Sequence, residues 1–246
     1  MSVKDLIVKP ISSKDAASLV KRVHYSGKIV PNSQLHLGVF LNDRLEGVMS
    51  FGASMDKRRM VGLVSGTKFH DFLELNRMAF SNILPRNSES RALSIAFKII
   101  KKNYPNIEWI VSFADGTQCG DGTIYRASGF VLTSIKKNTS LLKMPDGNIV
   151  ADKTLNNSVG ESGRKLTSIA KQNGAKPLDG FQLRYVYFLN KEARKRLTVN
   201  EIPYRKIKEI GASMYLGKRV GSRDNAASGF QSEEGGVTPT PTLQTT

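Results

Sequence analysis

Phe72-Leu73-Glu74-Leu75-Asn76-Arg77-Met78-Ala79-Phe80, together with the chain onward to Phe130, is the stretch on which the fold turns. Its alternation of apolar and polar residues is that of a strand. Asn82 to Ser90 is a polar loop broken by Pro85. Ser88 is placed to cap a helix over Arg91–Lys102, where Leu93, Ala96, Phe97 and Ile100 share one face at three- and four-residue spacing. Tyr104-Pro105 ends it, and Ile107–Phe113 is then a nearly unbroken apolar run, as expected of a strand covered on both faces. Asp115, Gly116, Gly120 and Gly122 come next, and Gly122–Phe130 reads as a short helix closed by glycine. Strand, helix, strand, helix predicts an α/β fold. Open sheets of this kind hold ligands outside the carboxyl ends of their strands, so Asp115 and the glycines after it mark a site.

Toward the N-terminus, Val3–Pro10 reads as a strand, and Ser12 or Ser13 caps a helix from Lys14 to about Val23 with Ala17, Leu19 and Val20 inward. His24-Tyr25-Ser26-Gly27 lies just past its end. Leu35–Leu41 and Leu45–Ala53 are strands joined by Asn42-Asp43-Arg44, a hairpin signal. Toward the C-terminus, residues 138–180 are polar and rich in Gly, Asn, Ser and Lys, which is too long for a simple connection and predicts an insertion or a long excursion. Gln182–Leu189 is the last strand and Lys191–Leu197 a short basic helix. From residue 218 the composition turns to Gly, Ser, Thr and Pro, so one domain is expected over 1–217 and a disordered low-complexity tail over 218–246.

The 246 residues carry 37 Lys and Arg against 21 Asp and Glu, a net charge of +16. Such an excess points to a polyanionic partner, with nucleic acid foremost and a solvated basic surface as the plain alternative. The cations that would meet phosphates are Lys21, Arg22 and Lys28 beside the His-Tyr pair, Lys136 and Lys137 after the core, Arg164 and Lys165 in the insertion, and Arg194, Lys195 and Arg196 near the end. Cys119 is the lone cysteine, which excludes an intramolecular disulfide framework and suits a reducing compartment. A reactive thiol there competes with an incidental loop cysteine. No run is long and apolar enough to span a bilayer and no signal peptide is evident, so an intracellular protein without a membrane partner is expected.

Asp115 and Tyr125 lie at a strand end and on the following helix, so both can face one cleft, where a carboxylate accepts a proton or holds an amine. Arg77 sits in mid-strand, and a charge there wants a partner. Asn87, Ser90 and Arg91 at the start of the second helix can hold phosphate oxygens, or be a well-capped surface helix. His24 is a base, a metal ligand or a helix-end residue; His24, His36 and His70 show no tight ligand spacing.

The segment Tyr125-Arg126-Ala127-Ser128-Gly129-Phe130 is similar to the end of the acetyl-CoA-binding core in the GNAT superfamily of N-acetyltransferases. Four blocks in order, His24-Tyr25-Ser26, Glu74-Leu75-Asn76-Arg77, Asn87-Ser88-Glu89-Ser90-Arg91, and Ser112-Phe113-Ala114-Asp115 continuing to Gly122-Thr123-Ile124-Tyr125, resemble the Mom DNA-modification proteins of Mu-like bacteriophages, a divergent GNAT branch. Arg184-Tyr185-Val186-Tyr187-Phe188 looks like the closing strand of that family. The resemblance covers roughly the first two hundred residues, a span suited to one domain.

It implies a GNAT-like mixed twisted sheet with flanking helices. It also implies a transferase-type enzyme in the host cell cytoplasm that converts adenine N6 of double-stranded DNA to an acylamido, methylcarbamoyl-type derivative, protecting phage DNA from host restriction. The implied roles are Asp115 as base or amine-positioning acid, Tyr125 at the cofactor, Ser90 and Arg91 with Asn87 at its phosphates, Arg77 as an electrostatic clamp, and His24 with Tyr25 at the base pocket. The implied cofactors are acetyl-CoA or another acyl donor, and iron with His24 as ligand. One departure stands out: Arg86–Arg91 contains no glycine, where acetyltransferases build their phosphate turn from several. The rival expectations are an ordinary N-acetyltransferase acting on a protein or small amine, and a catalytically inactive DNA-binding relative.

Overall fold

The computed structural model describes residues 2–151, 155, 163–215 and 218–220. Ser2 and Asp5 close a capping box on a 3-10 turn, so the first strand, β1, is confined to Ile7–Pro10 instead of starting at Val3. The Ser12 hydroxyl accepts from the Asp15 amide and starts α1 (Ser13–Val23), in which Ala16, rather than Ala17, is buried with Leu19 and Val20. β2 (Ser33–Leu41) and β3 (Arg44–Gly52) form the expected hairpin. Asn42 and Asp43 take φ of 50° and 61°, the left-handed pair that matches the twist of the strands. A short helix that the sequence did not signal, α2 (Lys57–Val61), precedes β4 (Phe72–Phe80).

α3 (Ser88–Asn103) begins ahead of the expected Arg91. Its N-cap is Asn87, at φ 70°, and the Ser88 hydroxyl turns back to donate to the Pro85 carbonyl; Ser88 is a helical residue, not the cap. β5 (Trp109–Asp115) carries Asp115 as its last residue, and α4 (Thr123–Ala127) and β6 (Val131–Lys137) come after it. The stretch 138–180 holds β7 (Leu141–Lys143), β8 (Ile149–Ala151), a helix over Gly163–Gln172 and β9 (Lys176–Pro177). Its strands form a separate sheet of order β8-β7-β9 around Leu142, Ala170 and Ala175. This small sheet is inserted between β6 and β10 (Phe181–Phe188), which pair directly. Beyond short helices over Lys191–Lys195 and Arg205–Glu209, β11 (Met214–Tyr215) pairs with β12 (Lys218–Arg219), so ordered pairing extends past residue 217. Residues 221–246 of the expected tail lie outside the described residues.

The fold is α/β, a mixed sheet of order β1-β2-β3-β4-β5-β10-β6 with helices on both faces. Every neighbouring pair is antiparallel except β4 and β5, which run parallel through only three residue pairs, ending at Glu74↔Val111. The cause of that early end is legible in the register. Leu75 opposes Phe51 and Arg77 opposes Ser50, so Asn76 is an extra residue, a bulge that bends β4 away from β5. The sheet therefore splits toward the carboxyl ends of its two central strands. α3 covers one face over Met49, Phe51 and Leu75, and α1 covers the other over Val48 and Ala79.

Candidate active site

Where β4 and β5 part, their facing backbone groups lose their partners. Ser112 repairs one of them, its hydroxyl donating to the Leu75 carbonyl at 3.3 Å across the gap. The rest of the gap is a cleft of about 510 Å³. His24, Tyr25, Asn76, Arg77, Asp115, Cys119 and Tyr125 all line it, so the five expected catalytic residues meet in one place.

Asp115 ends β5 with its carboxylate divided between two tasks. Oδ1 accepts from the Thr117 amide at 3.0 Å and from the Thr117 hydroxyl, which fixes the turn after the strand. Oδ2 has only long contacts, with the Tyr25 hydroxyl at 3.4 Å and the Gln118 amide at 3.5 Å, and keeps acceptor capacity on the cleft side. Tyr125 comes from α4. That helix is aimed by Gly122 at φ +85°, where a Cβ would lie 2.6 Å from the Tyr185 ring. Burial, ahead of any charge, raises the Tyr125 hydroxyl above its ordinary value, so it is a protonated donor, hydrogen-bonded with Ser112.

Arg77 and His24 form a second pair. Burial first and the Arg77 cation second lower the His24 pKa from 6.5 to about 4, so the ring is neutral at pH 7. Arg77 Nη1 lies 3.4 Å from His24 Nε2. On the other side of the ring, Nδ1 accepts from the Ser26 amide at 3.1 Å and lies 2.9 Å from the Ser26 hydroxyl, so donors approach both nitrogens of a ring that holds no charge. Arg77 Nε is buried without a partner. Desolvation is what lowers the Arg77 value, and the guanidinium is a clamp still short of one acceptor. The Tyr25 ring packs on His24 at 4.2 Å and is 50% exposed, whereas its hydroxyl end is tucked against Asp115 and Cys119. Burial, then those two groups, raises its pKa. The Cys119 thiol is likewise raised by burial and then by Asp115, which leaves it protonated and opposes a nucleophilic role.

The residues do not fit iron. The one named ligand, His24, turns Nε2 to a guanidinium, and among the described residues no group of three or more His, Cys, Asp and Glu is placed to hold a metal. The residues expected at the donor phosphates lie elsewhere. Asn87, Ser90 and Arg91 do not line the cleft; they sit at the start of the sixteen-residue α3, which comes after the carboxyl end of β4 where the split opens. Asn87 and Arg91 are exposed, and the Ser90 hydroxyl donates to the Asn87 carbonyl at 3.1 Å. The helix terminus suits an anion without the glycines.

The basic residues divide. Lys21 and Arg22 occupy the last turn of α1, directly before His24, and they, Lys28, Lys136 and Lys137 are exposed without an ion pair among the described residues. Lys136 opposes Gln182, which opposes Asp115, so Lys136 shares a sheet row and face with Asp115 at about 10 Å, two strand spacings. The expected phosphate contacts at the other end are already spent. Arg194 pairs with Glu201 at 2.6 Å, Lys195 with Glu192 at 2.8 Å and Arg196 with Glu108 at 2.6 Å. The side chains of Arg164 and Lys165 lie outside the described residues. Two cleft residues had no signal in the sequence. Met214 and Tyr215 reach the loop after Asp115 only through long-range pairing, Met214 accepting from the Asp121 amide at 3.2 Å.

Among solved structures, the chain is similar to an IAA acetyltransferase from Bacillus cereus (12% identity, TM-score 0.43, covering 74% of this chain and 99% of that one). It is also similar to a GNAT family acetyltransferase from Elizabethkingia anophelis with acetyl-CoA bound (12%, 0.42, 75% and 98%). Among curated proteins, methylcarbamoylase mom of Escherichia phage Mu is 39% identical over 196 residues, 79% of this chain and 80% of that protein. The Mom protein family model matches residues 5–206, and with that span and that identity the chain belongs to the Mom protein family.

Proposed function

We propose that this chain, a transferase-type enzyme of the Mom family, converts the exocyclic N6 amine of adenine in double-stranded DNA to a methylcarbamoyl-type derivative. The observation that carries the reading is the convergence of His24, Tyr25, Arg77, Asp115 and Tyr125 on one cleft where the sheet splits. The phage Mu relative bears the name methylcarbamoylase, which supports the group transferred.

In this reading the amine enters beside Asp115, whose Oδ2 takes the proton that the nitrogen loses as the new bond forms. The buried Tyr125 hydroxyl donates toward charge developing on the donor side. Arg77 offers Nε to an acceptor oxygen, and neutral His24 holds the guanidinium in place. A phosphate-bearing thioester donor that already carries the methylcarbamoyl-type group, not acetyl, would be held at its phosphates by Asn87, Ser90, Arg91 and the α3 terminus. As the bond to N6 forms, the carbon–sulfur bond would break and the sulfur leave as the thiol, its proton coming from the Tyr125 hydroxyl. Lys21, Arg22, Lys28, Lys136 and Lys137 bind duplex phosphates, and Tyr25 stacks on the base once it leaves the helix. The catalytic unit would extend through the β11–β12 pair to Arg219, working in the host cytoplasm to shield phage DNA from restriction. No helix among the described residues is long and apolar enough to cross a membrane.

The test is nucleoside mass spectrometry of DNA from bacteria expressing the chain, beside an empty vector and Asp115→Asn. A heavier adenosine derivative only with the active chain is expected. Unmodified adenine with well-expressed protein, together with acetylation of simple amines by acetyl-CoA, would replace this reading with the ordinary acetyltransferase.

A further inference from the structure

The segment beyond the helix over Arg205–Glu209 lies past the residues that the family model matches, yet it builds part of the cleft. Ala212 and Met214 are buried. Met214 receives the Asp121 amide and Tyr215 bridges to Gly120, so β11 lies along the loop after Asp115. The far side is also tied down. Arg219 of β12 donates to both carboxylate oxygens of Asp179, from Nε at 2.8 Å and Nη2 at 2.9 Å. A strand's period of two then sends Met214 inward and Tyr215 outward, leaving Tyr215 65% exposed at the cleft.

Tyr25 is the other exposed aromatic ring of that cleft, and the two approach the same loop from different parts of the chain. The hydroxyl end of Tyr25 meets Asp115 and Cys119, while Tyr215 is paired beside Gly120. Neither ring is packed into the core; Tyr25 presents its face next to the Asp115 carboxylate, which has spare acceptor capacity, and Tyr215 presents its face beside Gly120 in the same cleft. A base taken out of a duplex loses stacking on both of its faces, and one ring restores only one of them.

We propose that Tyr215 is a second stacking surface for the unstacked adenine, holding it together with Tyr25 while N6 is presented to Asp115. This rests on the adenine-modification reading above. The ring, not the hydroxyl, is what the role requires.

The experiment compares the fraction of modified adenine, by nucleoside mass spectrometry at limiting induction, in cells making wild type, Tyr215→Ala, Tyr215→Phe and Tyr215→Trp at matched soluble levels. Tyr215→Ala should lower it on the order of ten-fold or more, the Phe and Trp variants should stay within about two-fold, and melting temperatures should match because the side chain is exposed. Should Tyr215→Ala melt lower than wild type, Tyr215→Leu, which keeps apolar bulk without a π face, takes its place with the same expectation. Wild-type modification by Tyr215→Ala or its Leu substitute, or equal losses in Ala and Phe, overturns the stacking role while the adenine reading stands. No modified adenine in the wild-type cells sinks the adenine reading, and this inference with it.

Discussion

His24 offers a quantitative check on the electrostatics of the cleft. Its pKa falls from 6.5 to about 4, chiefly through burial and secondarily through Arg77. Between those two pH values the unfolded chain binds a proton at this ring that the folded chain refuses, so stability rises with pH across the window and is lost as pH falls from about 6.5 toward 4. The fall corresponds to at most ~3.5 kcal/mol at about 1.4 kcal/mol per tenfold. Because the ring is only partly buried, solvent screening brings the expected loss to about 1–2 kcal/mol.

The assay is urea unfolding from pH 7 to pH 4, followed by the fluorescence of Trp109, the lone tryptophan, which is fully buried and stacked on Phe72 at 4.3 Å. Carboxylate titrations are common to wild type and His24→Gln, so the difference between the two curves isolates the ring. Wild type should lose about 1–2 kcal/mol more than His24→Gln over the window. In Arg77→Met the His24 value should return only part of the way, since burial, the larger cause, remains. Parallel pH curves for wild type and His24→Gln, or an NMR titration placing His24 at or above 6.5, would refute the desolvated, neutral imidazole.

Asp115→Asn keeps an acceptor for the Thr117 amide, so the fold should survive while modified adenine drops by roughly a hundred-fold or more; undiminished modification would make Asp115 a structural cap. Lys136→Ala and Lys137→Ala should each weaken duplex binding and flatten the plot of log affinity against log salt by about 0.9 per lost phosphate contact. Arg194→Ala, whose cation is held by Glu201, should leave that slope alone, and equal slopes for all three variants would contradict the division of the cations. Gly122→Ala forces a Cβ to 2.6 Å from the Tyr185 ring at φ +85°, so about 1–3 kcal/mol of stability should be lost in urea unfolding, and an unshifted midpoint would refute the geometry. Cys119→Ser should retain modification and the wild-type thiol should react slowly with iodoacetamide at pH 7; rapid alkylation would show a thiolate that burial ought to suppress.

Periodicity carries local order well, and β4 was readable at its observed bounds because its alternation is a property of its own residues. The consequential feature inside it was not readable. Asn76 is a bulge only relative to Phe51 and Ser50 on β3, and register between strands is a long-range fact that no window on one strand contains. The candidate site obeys the same division. Asp115 and Tyr125 were placed by nearby elements, a strand end and the helix after it, whereas Tyr215 reaches the cleft through a bridge to Gly120 from the far end of the fold. Charge was countable but its use was not: Arg194, Lys195 and Arg196 look like a basic cluster until Glu201, Glu192 and Glu108 are seen to neutralise them.

The glycine-free turn before α3 shows how a missing motif can conceal a conformation that is present. Glycine recurs in phosphate turns because it takes positive φ and lets an anion approach the backbone. Asparagine is among the residues best suited to supply the first of these, since its short polar side chain tolerates the left-handed region. Asn87 does so at φ 70°, and the chain enters α3 directly from it. Its side chain makes no capping bond, and Ser88 has turned its hydroxyl back to Pro85, so neither side chain caps the helix terminus. The Ser88 amide is met by the Pro85 carbonyl, and no side chain caps the rest of the first turn, where the proposed anionic donor would sit with Arg91 exposed beside it. Conformation, not composition, is therefore the property to compare between this turn and the glycine-rich ones. By that measure the departure at Arg86–Arg91 is one of residue type, and it leaves the positive-φ entry into α3 that the proposed phosphate site requires.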